Sequence, residues 1–343
     1  MGLGGNLIWT TVFHAQHEKF GSEDLGVACD TPMLSDVLVG RWWRLDRDYS
    51  ADIVFKNNPM ISHVVKRDKK KLFKALDLFF EKLISVDGLR RRWEKFVFRM
   101  SEKGWRKGRA PRLMHIDMRI HSYAKAQTSS KTIWKEGGCA AHVIARNFGL
   151  EVRKPRAFMS FLPVEETELN RLLADFGISC PFIVVEPDTN RDWFGDLRAW
   201  PADRWQKLVD DLTENYPEVS IVQTGVSGEV SLQNVINMVG KTGFRQACLM
   251  IKNACLFIGT EGGLMHAASA VDAPSVVLWG GITLPEFAGY PHQHTVICHY
   301  VECAPCGNLG WCDNQHKCMK LIEVDAVYEA ASKLLEPKAT GVM

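Results

Sequence analysis

The chain has 343 residues, of which 46% are hydrophobic and 24% are charged. This composition excludes a disordered or fibrous protein, and at about 100–200 residues per domain the length predicts two domains. The sequence contains no apolar run of about 18 residues and predicts no transmembrane helix. Residues 1–20 lack the pattern of a secretory signal. We therefore expect a cytoplasmic protein.

Charge divides the chain into two halves of opposite sign. Residues 1–163 contain 30 Lys and Arg against 17 Asp and Glu, whereas residues 164–343 contain 12 against 23. An excess of positive charge attracts an anionic partner such as a phosphorylated glycolipid, an anionic membrane surface or a nucleic acid. Attraction between the two halves, or simply solvated faces, are the alternatives.

A glycine-rich segment opens the chain. Gly2, Gly4 and Gly5 precede Asn6, and apolar residues at helical spacing follow. We expect a turn that enters a helix, where free backbone N–H groups suit an anion. A β-strand normally precedes such a turn, so either this start is late or the first strand is absent.

The first half also contains a long basic region. Residues 66–107 are rich in Lys and Arg and keep apolar residues at helical spacing, which predicts amphipathic helices. Such a face can lie on an anionic membrane surface, and an ordinary surface helix packed on a sheet is the alternative. A short strand is predicted over 112–120 and a helix over 136–150.

The second half alternates strands with helices. A proline-containing segment at 155–180 holds the boundary, which we place between domains 1–163 and 164–343. The pattern then predicts strands over 181–185, 219–224, 254–259 and 275–279. Helices are predicted over 200–216, 231–238, 245–253 and 263–271. This alternation is typical of a doubly wound parallel sheet, in which ligands bind at the carboxyl ends of the strands.

Three loops follow predicted strands of the second half, over 186–201, 224–229 and 259–266. Gly262 and Gly263 allow the backbone to approach a diphosphate, and the next helix N-terminus supplies N–H donors. Arg198 can pair with phosphate oxygens, and Glu261 can accept hydrogen bonds from sugar hydroxyls. Each loop alone is more typical of a structural turn, but together they predict one nucleotide-diphosphate site.

Three motifs make the chain resemble the heptosyltransferase family, glycosyltransferase family nine. The first is the run from Glu261 to His266, followed by an Ala-rich helix, a proline and a strand that ends in Trp-Gly. The second is Arg198 two residues before Trp-Pro, and the third is Gly5-Asn6 before a hydrophobic run that ends in Thr. The resemblance implies the α/β GT-B architecture, with two Rossmann-like, doubly wound parallel-sheet domains facing a cleft.

The resemblance also implies roles for the matching residues. Arg198 would stabilise the charge that grows on the diphosphate leaving group. The donor-binding residues would be Thr224, Gly225, Glu229, Lys241, Glu261, Gly262, Gly263 and His266. The family requires no catalytic metal, so no catalytic cofactor is expected. Direct displacement would invert the anomeric configuration.

Two residues depart from the family pattern. Where the family has an Asp that deprotonates the acceptor, this chain has Asn6, which cannot take a proton. Asp117 is the substitute base that we name, with a strand-end acid in a local salt bridge as the alternative interpretation. Glu261 is one methylene longer than the family's Asp, which indicates a different sugar.

Four cysteines cluster near the C-terminus. Cys303, Cys306, Cys312 and Cys318 lie within one loop at 303–318. Four thiolates can close a tetrahedral zinc or iron site, and the autotransporter branch of the family carries a similar iron-binding element. We therefore expect a structural metal here, with four reduced thiols packed around Trp311 as the alternative and His316 as a further candidate ligand.

The sequence therefore predicts a glycosyltransferase that transfers a sugar, with heptose from ADP-heptose expected, to a surface glycan or lipopolysaccharide core. The basic half would hold this anionic acceptor and would allow peripheral contact with the inner membrane. The alternatives are a protein O-heptosyltransferase of the autotransporter type and a catalytically degenerate sugar-nucleotide-binding protein. No nucleic-acid partner is expected, because the basic residues lie in helices without a recognition motif.

Overall fold

The structure, a computed structural model, describes residues 3–20, 26–30, 51–66, 115–116, 139–146, 149–188, 195–226, 228–306 and 312–339. The chain forms two compact units. Unit 1 comprises Met1–Glu136 and Ala140–Lys154, and unit 2 comprises Gly137–Cys139 and Pro155–Met343. The predicted basic helices at 66–107 lie outside the described residues except for Lys66, which ends a strand. No helix in the described ranges is long and apolar enough to span a bilayer.

Unit 1 contains a small parallel sheet covered by helices. Its elements are α1 (Leu3–Phe20), β1 (Gly26–Asp30), α2 (Ala51–Phe55), β2 (Ile61–Lys66), β3 (His115–Ile116) and α3 (Ala140–Arg146). Strand β1 lies between β2 and β3, and both neighbours pair with it in parallel. Helix α1 packs against α2 and α3, and the rings of Phe13 and Phe55 meet edge to face at 5.7 Å.

Gly4 and Gly5 do not form the predicted turn, and Gly2 lies outside the described residues. Helix α1 already includes Gly4, Gly5 and Asn6, and the Asn6 side chain is fully buried. Apolar residues such as Leu7, Trp9 and Phe13 are also buried along this helix. Burial of these side chains outweighs the cost of about 1 kcal/mol that each glycine brings to a helix interior, so the helix includes Gly4 and Gly5.

Unit 2 contains a six-stranded sheet in which all neighbours are parallel. The strands are β4 (Phe182–Glu186), β5 (Ser220–Gln223), β6 (Ile236–Asn237), β7 (Leu256–Thr260), β8 (Ser275–Trp279) and β9 (Thr295–Cys298). Their order is β6-β5-β4-β7-β8-β9. The central strands β4, β7 and β8 are buried along their whole length, as expected for a sheet covered on both faces.

The helices of unit 2 connect these strands. They are α4 (Pro163–Asp175), α5 (Ala202–Asn215), α6 (Phe244–Asn253), α7 (Gly263–Ala270), α8 (Pro285–Ala288), α9 (Lys317–Lys320) and α10 (Val324–Ala339), and a 3₁₀ turn spans Gly195–Arg198. Helix α5 packs against β5 and α10 and places Trp205 and Leu208 in the core. The α/β fold with parallel sheets, predicted from the sequence, is confirmed.

One predicted helix of unit 2 is wrong. Residues 231–238 form bends and the short strand β6 instead of a helix. The backbone N–H of Leu232 donates to Gln223 Oε1 at 3.1 Å, and that of Gln233 donates to Gln206 Oε1 at 2.8 Å. Asn234 has a left-handed φ of 59°. A left-handed residue interrupts a right-handed α-helix, and the chain then pairs with β5 as the short strand β6.

Candidate active site

The site lies at the carboxyl ends of the central strands of unit 2. Glu186 ends β4 and pairs in register with Gly259 of β7, so the loop after each strand leaves from the same edge of the sheet. Thr224 follows β5, and its N–H donates to Val185 O at 2.9 Å. The three loops picked out in the sequence therefore begin at one edge, which is where parallel α/β sheets bind ligands.

Arg198 and Glu261 form a partly buried ion pair at this edge. Arg198 ends the 3₁₀ turn, and its Nη2 atom lies 3.3 Å from Glu261 Oε1. The two side chains are 17% and 5% exposed. The hydroxyl of Thr283, in the turn after β8, lies 3.4 Å from Glu261 Oε1 and donates to it. This geometry holds one cation and one carboxylate beside the start of α7.

Each member of this pair keeps unused hydrogen-bonding capacity. Arg198 Nε and Glu261 Oε2 are buried and have no hydrogen-bond partner among the described residues. A buried polar atom without a partner costs about 1–3 kcal/mol, and native structures contain few of them. A ligand with acceptor oxygens for Arg198 and hydroxyl donors for Glu261 would satisfy both atoms.

Helix α7 begins directly after Glu261 and Gly262. Gly262 precedes the first helical residue, Gly263, with an extended backbone at φ −175°. The first N–H groups of a helix lack intrahelical acceptors and attract anions. Helix α7 therefore supplies backbone N–H donors beside the guanidinium of Arg198, at the same turn.

His266 lies in the second turn of α7 and is uncharged at neutral pH. Its Nδ1 atom lies 2.9 Å from the hydroxyl of Tyr290, and only 8% of its surface is exposed. Burial, followed by the nearby His294 and Arg198, lowers the pKa of His266 to about 3. A neutral imidazole offers one N–H donor and one acceptor, so His266 acts here as a polar neutral group.

The remaining predicted donor residues lie around the loop after β5. Gly225 has a φ of 153°, a backbone region that favours glycine, and its carbonyl accepts the N–H of Gly240 at 2.9 Å. This bond joins the loop to the turn that carries the exposed Lys241. Thr224 is buried and Glu229 is exposed.

The four cysteines of the C-terminal loop line a single cavity. Its volume is about 120 Å³, and His316, Leu197 and Gly281 also line it. The N–H of Gly281 donates to Cys318 Sγ at 3.2 Å and that of His316 to Cys312 Sγ at 3.3 Å. Within the described ranges, no three His, Cys, Asp or Glu side chains converge closely enough to hold an ion. The donor set suits a soft metal, but this arrangement of the sulfurs does not form a closed site.

Comparison with known proteins decides the family. The model of glycosyltransferase family 9 (heptosyltransferase) matches residues 95–310, which is more than half of the chain and includes Arg198, Glu261, His266 and Tyr290. The chain belongs to glycosyltransferase family 9. The family predicted from the sequence motifs is therefore confirmed.

Individual relatives of this family 9 member are distant. Lipooligosaccharide heptosyltransferase 2 of Campylobacter jejuni is 24% identical over 156 residues, a match that covers 42% of this chain and 48% of that protein. The chain thus spans about half the length of this curated relative.

Two solved structures resemble the fold of this family 9 chain over most of its length. The E. coli ADP-heptose lps heptosyltransferase II has a TM-score of 0.59 at 14% identity, covering 99% of this chain and 98% of that one. The iron-containing dodecameric glycosyltransferase TibC from enterotoxigenic E. coli H10407 has a TM-score of 0.54 at 16% identity, covering 92% and 78%. At these identities the likeness shows the fold alone.

The structure brings some of the predicted site residues of this family 9 member together. Arg198 and Glu261 are in contact, and the charge of Arg198 acts on His266. Asn6 lies inside α1 of unit 1 rather than in a turn. Asp117 lies outside the described residues, so its role as a base stays a prediction.

Sequence reasoning missed three polar residues at this edge: Glu186, Thr283 and Tyr290. Burial and the neighbouring Asp188 raise the pKa of Glu186 well above its usual value. Its position directly after the buried run Phe182–Val185 was a readable signal. Thr283 and Tyr290 are 22 and 24 residues from their partners Glu261 and His266, and no local pattern signals such contacts.

Proposed function

We propose that this protein is a glycosyltransferase that binds a nucleotide-diphospho sugar at the carboxyl edge of the unit 2 sheet. The observation that carries the proposal is the ion pair of Arg198 and Glu261 at the start of α7, in which no described residue pairs with Arg198 Nε or Glu261 Oε2. Cation, carboxylate and helix N-terminus match the diphosphate and the hydroxyls of such a donor.

In the proposed reaction, an acceptor hydroxyl attacks the anomeric carbon as the bond to the diphosphate oxygen breaks, which inverts the configuration. Arg198 and the N–H groups of α7 stabilise the charge that develops on the departing diphosphate. Glu261 Oε2 accepts a hydrogen bond from a hydroxyl of the donor. The acceptor proton goes to a base other than Asn6, whose amide cannot accept it, and Asp117 is our candidate.

The proposed donor is ADP-heptose and the proposed acceptor is a lipopolysaccharide core or other surface glycan. The family description and the name of the Campylobacter jejuni relative both support heptose as the sugar. The excess of Lys and Arg in residues 1–163 supports an anionic acceptor and peripheral contact of a cytoplasmic enzyme with the inner membrane. Cosedimentation with anionic vesicles, but not with neutral ones, tests the membrane contact.

The cysteine cavity favours a second candidate, a protein O-heptosyltransferase of the autotransporter type. In that case the four thiols would hold structural iron or zinc, and a bound metal would draw the sulfurs of Cys303, Cys306, Cys312 and Cys318 together. Metal analysis of the purified protein tests this. We expect Cys318→Ser to lose the metal, whereas Cys180→Ser, at an exposed cysteine outside the loop, keeps it.

The test of the proposed function is calorimetric titration with ADP-heptose, GDP-mannose and UDP-glucose, followed by transfer assays with lipopolysaccharide core and with an autotransporter protein. We expect selective binding of ADP-heptose and turnover with lipopolysaccharide core. Transfer only to the protein acceptor would favour the second candidate. Binding without turnover on either acceptor would indicate a degenerate sugar-nucleotide-binding protein, as the Asn6 departure allows, and no binding would refute the donor site.

A further inference from the structure

Tyr290 packs against the His266 ring, and its backbone is constrained on both sides. It follows Gly289, where a Cβ would lie 2.8 Å from Pro285 O and 3.0 Å from the Trp279 ring, so only glycine fits there without a shift. The Tyr290 carbonyl accepts the N–H groups of Gln293 and His294 at 2.8 and 2.9 Å. The Tyr290 side chain is 2% exposed. The Tyr290 hydroxyl is therefore a buried group with a defined position.

Tyr290 contacts the His266 ring through a single polar atom. The two rings are nearly perpendicular, with centroids 5.5 Å apart, and the hydroxyl lies 2.9 Å from Nδ1. Two arrangements satisfy this distance, because either the hydroxyl donates to Nδ1 or Nδ1–H donates to the hydroxyl oxygen. The first puts the ring proton on Nε2, and the second leaves Nε2 as an acceptor.

The surroundings of His266 favour the first arrangement. Donation from the phenolic hydroxyl to Nδ1 places the ring proton on Nε2. Nε2 then lies on the ring edge away from Tyr290, and a helical side chain leans toward the N-terminus of its helix, here the turn at 261–263. Arg198 and the α7 N-terminus make that turn a site for acceptor oxygens, which His266 matches only when Nε2 carries the proton.

We propose that Tyr290 is a positioning residue that donates its hydroxyl hydrogen to His266 Nδ1 and thereby fixes His266 as an Nε2–H donor to a diphosphate oxygen of the donor. This role deepens the proposed function and rests on it. His266 stays neutral at the pH of catalysis because its pKa is lowered to about 3. Its tautomer, and not its charge, is therefore the property that Tyr290 controls.

The experiment measures the tautomer of His266 directly, by nitrogen-15 NMR of histidine-labelled protein with and without ADP. The His266→Gln variant assigns the His266 signals among the 11 histidines. We expect the Nε2–H tautomer in the unsubstituted protein and loss of that preference in Tyr290→Phe. The matched control is Tyr328→Phe, at a half-buried tyrosine on α10 that packs against the core, which should leave the His266 signals unchanged.

Affinity gives the second readout. Because a neutral hydrogen bond contributes about 0.5–1.5 kcal/mol, we expect Tyr290→Phe to weaken ADP binding by about 2- to 12-fold. The double variant Tyr290→Phe/His266→Gln should bind no more weakly than His266→Gln alone. An Nδ1–H tautomer in the unsubstituted protein, an unchanged tautomer in Tyr290→Phe, or additive losses would overturn the positioning role even if ADP binds. Failure of the unsubstituted protein to bind ADP would instead overturn the proposed function.

Discussion

Replacing Arg198 by Met should lower the unfolding free energy of the protein. Replacing Glu261 by Met as well should restore most of that lost free energy. At 3.3 Å and an effective dielectric constant of about 20, the attraction between these charges is about 5 kcal/mol, most of which offsets their desolvation. Removing one partner of a fully buried pair costs about 3–5 kcal/mol. Arg198 is 17% exposed, so we expect the unfolding free energy to fall by about 2–3 kcal/mol.

The double variant Arg198→Met/Glu261→Met separates stability from activity. It no longer leaves the Glu261 carboxylate buried without its cation, so its unfolding free energy should return to within about 1 kcal/mol of the unsubstituted protein. Transfer activity should stay about 10²–10³-fold down in both variants, since the cation opposite the developing charge is missing. Urea denaturation followed by tryptophan fluorescence reports both units, because Trp9 of unit 1 is buried as well as Trp200, Trp205 and Trp279 of unit 2, so each variant is compared with the unsubstituted protein.

Arg171→Met is the matched control, because Arg171 is exposed on α4 and its loss should change neither stability nor activity. Two results would refute the reasoning. A double variant no more stable than Arg198→Met would mean that the buried Glu261 does not cause the instability. A double variant that regains transfer would mean that Arg198 has no role in departure of the diphosphate.

Three further predictions concern pH and packing. Burial lowers the pKa of His266 to about 3 and that of His294 to about 4. The unfolded chain therefore binds more protons than the folded one below pH 6.5, and stability should fall as the pH drops from about 6.5 to 4. Thermal melts of His294→Asn should show a smaller fall over this range. The raised pKa of Glu186 has the opposite sign, so Glu186→Gln should raise the melting temperature at pH 8 more than at pH 5. Leu208→Ala, at a fully buried site, should lower the unfolding free energy by about 2–5 kcal/mol, whereas Leu321→Ala, at a leucine 39% exposed, should cost under about 1 kcal/mol in the same urea titration.

Much of unit 2 was predictable because its local signals agree with its tertiary structure. Continuous apolar runs such as Phe182–Val185 form strands buried on both faces, and Pro201 immediately precedes α5. The helix predicted over 231–238 was wrong because the local pattern does not contain the contacts that decide its structure. Its backbone donates to the side chains of Gln206 and Gln223, which lie on other elements and leave no trace in the local pattern.

The candidate site likewise contains residues that the sequence predicted and residues that it did not. Arg198 lies in the loop between β4 and α5, and Glu261 and His266 lie in the turn and helix after β7. Their positions follow from the rule that parallel sheets bind ligands at their carboxyl edge. Thr283 contacts Glu261 from the turn after β8, and Tyr290 contacts His266 from the segment after α8. Such contacts depend on how whole strands align. The turn predicted before Asn6 was wrong because burial of the apolar side chains of α1 outweighs the local preference of glycine for turns.

Hydrogen exchange with and without ADP, read by mass spectrometry, tests the central claim most directly. If the donor binds at the carboxyl edge of the unit 2 sheet, ADP should slow exchange in peptides that cover 195–204 and 259–268, and the slowing should be absent in the Arg198→Met/Glu261→Met variant. Peptides from α10, on which the donor makes no proposed contact, should be unaffected. Protection confined to other segments, or equal protection in the double variant, would contradict the account.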